Sequence, residues 1–211
     1  MYKLISATPS PYARKVRIAL AEKDIPFELI TEVPWDKTTN TPKHNPLEKL
    51  PVLICDDGST WYESRFILEY LELTHPTPPL LPKDTVGILA AKRLEVLCDG
   101  VCDALVLMFF EKMRVESVQS AEWTARQLRK VDGGLKEIAR LIGDREFAVG
   151  QRFGLGDIAA ATVVGYISVR WPQMNWRVQN PGLAAHSDRM EARPSFQGSR
   201  PVPQTISDKV V

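Results

Sequence analysis

The sequence His75-Pro76-Thr77-Pro78-Pro79-Leu80-Leu81-Pro82-Lys83-Asp84 separates two parts of the chain that have different patterns. Proline ends helices and cannot donate to the hydrogen bonds of a central strand, and this stretch contains four prolines. We therefore predict a linker over residues 77–84. A first domain of residues 1–76 precedes it, and a second domain of residues 85–211 follows it.

Before the linker, short apolar runs predict four strands, and apolar positions at helical spacing predict two helices. The predicted strands are residues 2–6, 27–33, 52–55 and 60–62, with Asp57-Gly58 as the hairpin turn between the last two. The two predicted helical faces carry Tyr12, Val16, Ala19 and Leu20, and then Phe66, Ile67, Tyr70 and Leu71. The first domain therefore reads as β-α-β, a loop and β-β-α, which is an α+β fold.

After the linker, apolar residues recur only at helical spacing. One stripe consists of Leu94, Leu97, Val101, Leu105 and Met108, and a second of Leu128, Val131, Leu135, Ile138 and Leu141. Residues 158–166 and 181–192 predict two further helices, and residues from 195 onward predict a tail without regular structure. The second domain is therefore predicted to be all-helical.

Composition and charge narrow the class of protein. The 27 basic and 26 acidic side chains give a net charge of +1, which does not provide the positive field expected of a nucleic-acid-binding protein. The longest apolar run, residues 104–110, is far shorter than the roughly 20 residues of a membrane-spanning helix. Three cysteines and no amino-terminal apolar core predict a cytoplasmic protein without disulfides.

Ser10-Pro11 is predicted to begin the first helix, with Ser10 as its N-cap and Pro11 at the first helical position. Capping alone would explain the serine. Alternatively, a helix N-terminus favours an anion, and a serine hydroxyl there can donate a hydrogen bond to a bound thiolate. Thr8 and Tyr12 carry competing hydroxyl groups.

The sequence Gly154-Leu155-Gly156-Asp157-Ile158-Ala159 matches the G-x-G-x-x-A pattern of dinucleotide-binding proteins. We reject that interpretation because helical patterns surround the motif and no β-α-β unit follows it. The motif is better explained as a helix start. Gly154 would be the N-cap, Asp157 would reach back to its backbone N–H, and Phe153 would pack on Ile158.

A small α+β domain, a proline-rich linker and an all-helical domain together resemble the cytosolic glutathione transferases, most closely the small bacterial YibF-like members. Four motifs carry the resemblance: residues 10–17 (SPYARKVR), 50–53 (LPVL), 63–64 (ES) and 153–158 (FGLGDI). The resemblance implies the glutathione transferase fold, a thioredoxin-like amino-terminal domain followed by an all-α helical bundle. The family usually has Ser or Thr at the position of Gly154.

The resemblance also implies a glutathione site. Ser10 would stabilise the glutathione thiolate, and a cis Leu50–Pro51 bond would turn the Leu50 backbone toward the cysteinyl backbone of the tripeptide. An ordinary trans bond is the alternative at Pro51. Ser64 would bind the carboxylate of the γ-glutamyl group and Glu63 its ammonium, although the pair could also be only a helix start.

The acceptor site is less clear in the sequence. Met108, Phe109 and Met113, with Tyr12 from the first domain, are predicted to line an acceptor pocket, although packing between domains or subunits would also explain the helical residues. The motif C-x-x-C is absent at the first helix, so the chain's own thiols do not form a dithiol centre there. Cys98 and Cys102 share a helix face without a recognisable zinc site, which predicts packing and no metal.

These observations predict a cytoplasmic glutathione transferase that conjugates glutathione, as a cosubstrate, to a small hydrophobic electrophile. No permanently bound cofactor, metal, nucleic acid or membrane partner is expected, and the family resemblance implies a homodimer with a role in detoxification. Two alternatives stay open. The protein could cleave disulfides or ethers with glutathione, or it could bind glutathione or recruit a partner without catalysis.

Overall fold

Four strands at the beginning of the chain form one mixed sheet in a computed structural model that describes residues 1–208. The strands are β1 (Tyr2–Ser6), β2 (Phe27–Thr31), β3 (Val52–Ile54) and β4 (Thr60–Tyr62), in the spatial order β2-β1-β3-β4. β1 is parallel to β2, whereas β3 is antiparallel to both β1 and β4. The hairpin predicted at Asp57-Gly58 is confirmed, with Gly58 at φ 84°, a conformation that glycine adopts without a steric cost.

Two helices belong with this sheet: α1 (Pro11–Glu22) connects β1 to β2, and α2 (Ser64–Thr74) follows β4. Helix α1 buries the predicted Val16, Ala19 and Leu20. Helix α2 buries Ile67 and Leu71, but Phe66, predicted on the same face, is 49% exposed. Adjacent helical residues point about 100° apart, and Leu68 takes the buried position on the other side of Ile67.

The structure divides the described chain into two units, Met1–Leu80 with Ala192–Asp208, and Leu81–Glu191. The first part of the predicted linker, as far as Leu80, belongs to the first unit. The buried Lys23 ammonium donates to the carbonyls of His75 (2.7 Å) and Pro78 (2.9 Å) and pairs with Glu72 (2.7 Å). The chain after helix α2 is therefore fixed to the first unit as far as Leu80.

The carboxyl-terminal segment differs from the prediction. The second domain was predicted to run to residue 211, but Ala192–Asp208 belongs to the first unit, and residues 209–211 lie outside the described residues. The predicted irregular tail contains the short helix α8 (Pro194–Gln197), and Phe196 is completely buried. Its carbonyl accepts a hydrogen bond from Arg14 at 3.2 Å, and the Arg14 guanidinium lies 5.5 Å from its ring centroid.

The second unit is helical, as predicted. Its helices are α3 (Thr85–Met113), α4 (Ala121–Ile142), α5 (Leu155–Arg170), α6 (Trp176–Gln179) and α7 (Pro181–Glu191). Helix α5 is buried along most of its length and packs against α3 and α7. The predicted stripes of α3 and α4 are largely buried, except that Leu128 is 38% exposed and Leu97 and Leu141 are half-buried.

The N-cap at Gly154 and the hydrogen bond from its backbone N–H to Asp157, both predicted at the beginning of α5, are confirmed. Asp157 accepts a hydrogen bond from the Gly154 backbone N–H at 2.9 Å. Its other carboxylate oxygen accepts from Ala148 N–H and contacts Nε2 of the buried His186, both at 2.8 Å. The Gly154 motif is therefore a helix start, and Asp157 connects it to helix α7.

No helix in the described part of the chain combines the length and the apolar character that a bilayer crossing requires. Across residues 1–208, no group of three or more His, Cys, Asp or Glu side chains is arranged to hold a metal ion.

Candidate functional site

The three predicted motifs Ser10-Pro11, Leu50-Pro51 and Glu63-Ser64 lie at one edge of the sheet. The register pairs Ile5 with Val52 and Val52 with Tyr62, so the end of β1, the start of β3 and the end of β4 lie side by side. The chain enters α1 after β1 and α2 after β4 at this edge. Both helix N-termini therefore lie at the same edge, where their backbone donors and dipoles favour a negatively charged group.

Ser10 is the N-cap of α1. Its backbone is extended (φ −64°, ψ 119°), and its hydroxyl oxygen accepts a hydrogen bond from the Ala13 backbone N–H at 3.2 Å. Its own backbone N–H donates to the Ala7 carbonyl at 3.0 Å, which fixes the turn before the helix. A capping hydroxyl that accepts in this way still has its proton to donate to a ligand.

The competing hydroxyl of Thr8 is already used. It donates to the Val202 carbonyl at 3.2 Å, so the carboxyl-terminal segment occupies its one hydrogen-bond donor. Tyr12, the second residue of α1, is half-buried.

Cationic side chains follow Ser10 on α1. Arg14 and Lys15 are buried, with 1% and 2% of their surface exposed. Burial, and then the positive charge of Arg14, lower the pKa of Arg17, whose guanidinium donates to the Gly198 carbonyl at 2.9 Å. The guanidinium groups of Arg14 and Arg17 are thus both held by the carboxyl-terminal segment of the first unit.

The Leu50–Pro51 bond is cis, as the resemblance implies. The segment before it is ordered by Asn45, whose side chain donates to the Lys49 carbonyl (2.8 Å) and accepts from Leu47 N–H (2.9 Å). The sequence analysis did not identify Asn45. The dipeptide Asn45-Pro46 favours turn initiation, so this signal was present in the sequence.

Glu63 has an unusual backbone conformation for a residue other than glycine, with φ 72° and ψ 114°. It is the N-cap of α2, yet its side chain makes no capping hydrogen bond and the residue is exposed. Such conformations cost roughly 1–3 kcal/mol and concentrate at functional sites. Here the strained residue lies at the start of α2, at the same sheet edge, and its side chain is exposed.

Ser64 follows Glu63 and is only 1% exposed. Its hydroxyl oxygen is buried and has no hydrogen-bond partner within residues 1–208. A buried polar atom without a partner costs free energy, and most such atoms in folded proteins are paired. An acceptor supplied by a ligand would satisfy this hydroxyl.

The predicted acceptor residues of α3 lie in different surroundings. Met108 is 5% exposed and belongs to the packed face of the helix, Phe109 is half-buried, and Met113 is 43% exposed. The Arg170 guanidinium lies 4.1 Å from the Phe109 ring centroid. A role of these residues in an acceptor pocket stays a prediction, and Met108 contributes little accessible surface to it.

Comparison with known families agrees with this geometry. The family model described as "Glutathione S-transferase, N-terminal domain" matches residues 9–74, and the one described as "Glutathione S-transferase, C-terminal domain" matches residues 121–189. The chain belongs to the glutathione S-transferase family, which confirms the resemblance and the fold inferred from the sequence.

Particular relatives cover nearly the whole chain. A glutathione S-transferase from Methylobacterium radiotolerans, solved in complex with glutathione sulfonate, is 67% identical with a TM-score of 0.98, covering 100% of this chain and 99% of that one. A glutathione S-transferase from Methylobacillus flagellatus, solved with GSH bound, is 40% identical with a TM-score of 0.92, covering 96% and 100%. The uncharacterized GST-like protein YibF of Escherichia coli is 34% identical over 199 residues, covering 94% of this chain and 98% of its own length.

Proposed function

We propose that this protein binds glutathione at the sheet edge where α1 and α2 begin, and conjugates its sulfur to a small electrophile. The observation that carries the proposal is the Ser64 hydroxyl, which is buried, lies in the first turn of a helix and lacks a partner within residues 1–208. The glutathione sulfonate and GSH held by two relatives support the choice of ligand.

The γ-glutamyl group of glutathione carries a carboxylate and an ammonium. In the proposed complex Ser64 donates to the carboxylate at the positive end of the α2 dipole, and the exposed Glu63 pairs with the ammonium. The Leu50 backbone N–H makes no hydrogen bond within residues 1–208, and it would pair with the cysteinyl backbone as in an added strand.

Ser10 would then act on the sulfur. Its proton is available because its oxygen only accepts from Ala13 N–H, whereas the Thr8 proton is directed to Val202. A hydrogen bond that stabilises the thiolate more than the thiol lowers the pKa of the bound thiol. The thiol proton leaves to solvent, the sulfur forms a bond to the electrophilic carbon, and the leaving group departs with its electron pair.

One experiment separates conjugation from the two alternatives. A panel of aryl halides, epoxides, mixed disulfides and aryl ethers is assayed with glutathione, beside calorimetric titration of glutathione itself. Turnover of the halides or epoxides supports conjugation, and turnover of only disulfides or ethers replaces it with reductive cleavage. Glutathione binding without any turnover would leave a binding protein of the same fold.

The proposal extends to a cytoplasmic homodimer. The odd number of cysteines agrees with a reducing compartment.

Helix α3 has exposed apolar side chains at helical spacing, namely Val86, Leu89, Val96 and Leu107, whose exposures are 77%, 63%, 54% and 45%. A second copy would remove this apolar surface from water. Sedimentation equilibrium that gives the mass of a monomer at micromolar concentration would contradict the dimer.

A further inference from the structure

Residues 201–208, which follow helix α8, contact the turn that carries Ser10, and the mechanism above assigns them no role. We call this segment the carboxyl-terminal strap. The strap and the turn belong to the same unit. The Thr8 hydroxyl donates to the Val202 carbonyl at 3.2 Å, and Thr8 lies two residues before Ser10. The strap is therefore attached directly beside the proposed thiolate donor.

The turn before α1 has few backbone donors of its own. Pro9 and Pro11 lie on either side of Ser10, and proline has no N–H. The Ser10 N–H donates to the Ala7 carbonyl at 3.0 Å, which closes the turn on itself. The Thr8 side chain, in contrast, connects the turn to a distant part of the chain, because its hydroxyl reaches the strap.

The acceptor in the strap has a restricted conformation. Val202 lies between Pro201 and Pro203. Proline fixes its own φ at about −65°, and a residue that precedes proline is confined mainly to extended conformations. Little conformational entropy is therefore lost when the Val202 carbonyl is held against Thr8. The two prolines explain how a segment without helix or strand presents a carbonyl in one direction.

The far end of the strap is attached to the loop after β2. Gln204 donates to the Glu32 carbonyl at 3.3 Å. The Asp36 carboxylate accepts from the backbone N–H groups of Ser207 (2.9 Å) and Asp208 (3.2 Å). The strap is therefore fixed at its far end as well as by its contact with the turn.

We propose that the strap positions Ser10 for thiolate stabilisation, and that Thr8 is the positioning residue through which the strap acts. This inference rests on the proposed function, because the thiolate belongs to bound glutathione. The hydrogen bond to Val202 holds the turn, and the turn directs the Ser10 hydroxyl toward the sulfur. Without that bond the turn adopts other conformations for part of the time, and a misaligned hydroxyl stabilises the thiolate less.

The pKa of the bound thiol is the direct readout. Ultraviolet titration of the thiolate absorbance, in the complex of the full chain with glutathione, measures this pKa without an electrophile. Thr8→Val is expected to raise it, with an acid dissociation constant about two- to tenfold smaller, as the loss of one hydrogen bond allows. The substitution removes a hydroxyl and no charge. Charged residues in contact with residues 198–208 therefore keep their charges, among them Arg17, Glu32, Asp36 and Lys37.

Two further variants control for the loss of a threonine hydroxyl. Thr8→Ser keeps the hydroxyl and should restore most of the wild-type pKa. Thr74→Val is the matched control, because the Thr74 hydroxyl donates to the Tyr70 carbonyl within α2 at 2.7 Å and should not affect the thiol. Affinity for S-methyl glutathione, which has no thiolate, should stay within about twofold of the wild-type value in all three variants. Melting temperatures check that each variant is folded.

A double-mutant cycle tests whether Thr8 acts through Ser10. Ser10→Ala should raise the pKa of the bound thiol by itself, and Thr8→Val should have no further effect in that background, because the donor that it positions is gone. Pro201→Gly combined with Pro203→Gly frees the strap while keeping Val202, and it should raise the pKa less than Thr8→Val. A proline effect that persists in the Thr8→Val background would show that the strap does not act through Thr8.

The outcomes separate this inference from the proposed function. An unchanged thiol pKa in Thr8→Val, or an equal change with and without Ser10, would overturn the positioning role and preserve the proposed function. The expected pKa changes without turnover of any electrophile would support the positioning role and overturn conjugation. Failure of the wild-type protein to bind glutathione would overturn both.

Discussion

Two serines begin two helices at the same edge of the sheet, and their hydroxyl groups differ in one respect. The Ser10 oxygen accepts from Ala13 N–H, so the first turn of α1 uses it. The Ser64 hydroxyl is buried in the first turn of α2 and has no partner within residues 1–208. The fold therefore accounts for a serine at position 10 even without a ligand, whereas only a ligand accounts for the serine at position 64.

The largest expected effect is the loss of glutathione affinity in Ser64→Ala. A hydrogen bond to a charged group contributes about 1.5–3 kcal/mol, which corresponds to roughly a 10- to 150-fold weaker Kd. The free energy of unfolding should not fall, because the alanine leaves no buried hydroxyl unsatisfied. Calorimetric titration and urea denaturation measure the two quantities.

Ser168→Ala is the matched control for Ser64→Ala. The Ser168 hydroxyl donates to the Val164 carbonyl within its own helix at 2.9 Å, so its loss should not change glutathione affinity. Wild-type affinity in Ser64→Ala would remove this residue from the site and leave its buried hydroxyl unexplained.

Ser10→Ala should have the opposite effects to Ser64→Ala: it should lower the free energy of unfolding and leave ligand affinity nearly unchanged. Loss of an N-cap lowers the free energy of unfolding by about 0.5–2 kcal/mol. Affinity for an S-alkylated glutathione should change little, because that ligand has no thiolate. The pH profile of conjugation should shift upward, because loss of the hydrogen bond to the thiolate raises the pKa of the bound thiol.

Urea denaturation and the pH dependence of kcat/KM check the Ser10→Ala prediction. An unchanged pH profile with reduced stability would make Ser10 only a helix cap. Thiolate stabilisation would then pass to the backbone or to Tyr12, because the Thr8 proton is directed to Val202.

Glu63 provides a third test, because substitutions at this residue separate backbone strain from ligand binding. Glycine adopts φ 72° without a steric cost, so Glu63→Gly should raise the free energy of unfolding by about 1 kcal/mol. It should also weaken glutathione binding through loss of the carboxylate. Glu63→Gln keeps the strained backbone and should lose affinity without gaining stability. Equal stabilities of the two variants, measured in urea, would show that the backbone of residue 63 is not strained.

The smallest expected effect concerns a helix start in the second unit. Gly154 caps α5 with an extended backbone (φ −169°, ψ −163°), which any residue can adopt. Gly154→Ser adds a hydroxyl acceptor to the cap that Asp157 already stabilises, so the free energy of unfolding should rise by a few tenths of a kcal/mol. Glutathione affinity should be unchanged. A destabilised Gly154→Ser would indicate that space at this cap, and not hydrogen bonding, favours glycine.

The helix starts and the hairpin turn were predictable because each depends on neighbours in the sequence. Ser10 precedes Pro11, Asp157 lies three residues after Gly154, and the Asp57-Gly58 turn lies between two short apolar runs. Capping and turn chemistry act over a few residues, so a single sequence contains the whole signal. The structure confirms these features as helix starts and a hairpin.

Features that depend on distant partners could not be predicted in the same way. Arg14 is buried on α1 because the Phe196 carbonyl and ring lie against it, 182 positions along the chain. A charged residue in a helical pattern normally indicates an exposed face, and a phenylalanine between Pro194 and Gly198 gives no helical period. The hydrogen bond from the Thr8 hydroxyl to the Val202 carbonyl could not be predicted for the same reason.

The return of Ala192–Asp208 to the first unit also has a consequence for the order of events on the ribosome. Residues 1–80 are translated before the helical unit, but Arg14 and Glu22 acquire their partners Phe196, Arg193 and Ser195 only after that unit has been translated. Vectorial synthesis therefore cannot complete this unit before the helices that separate its two pieces have been translated. The turn that contains Thr8 is closed by the carbonyl of Val202, so a segment translated 194 residues later completes the neighbourhood of Ser10.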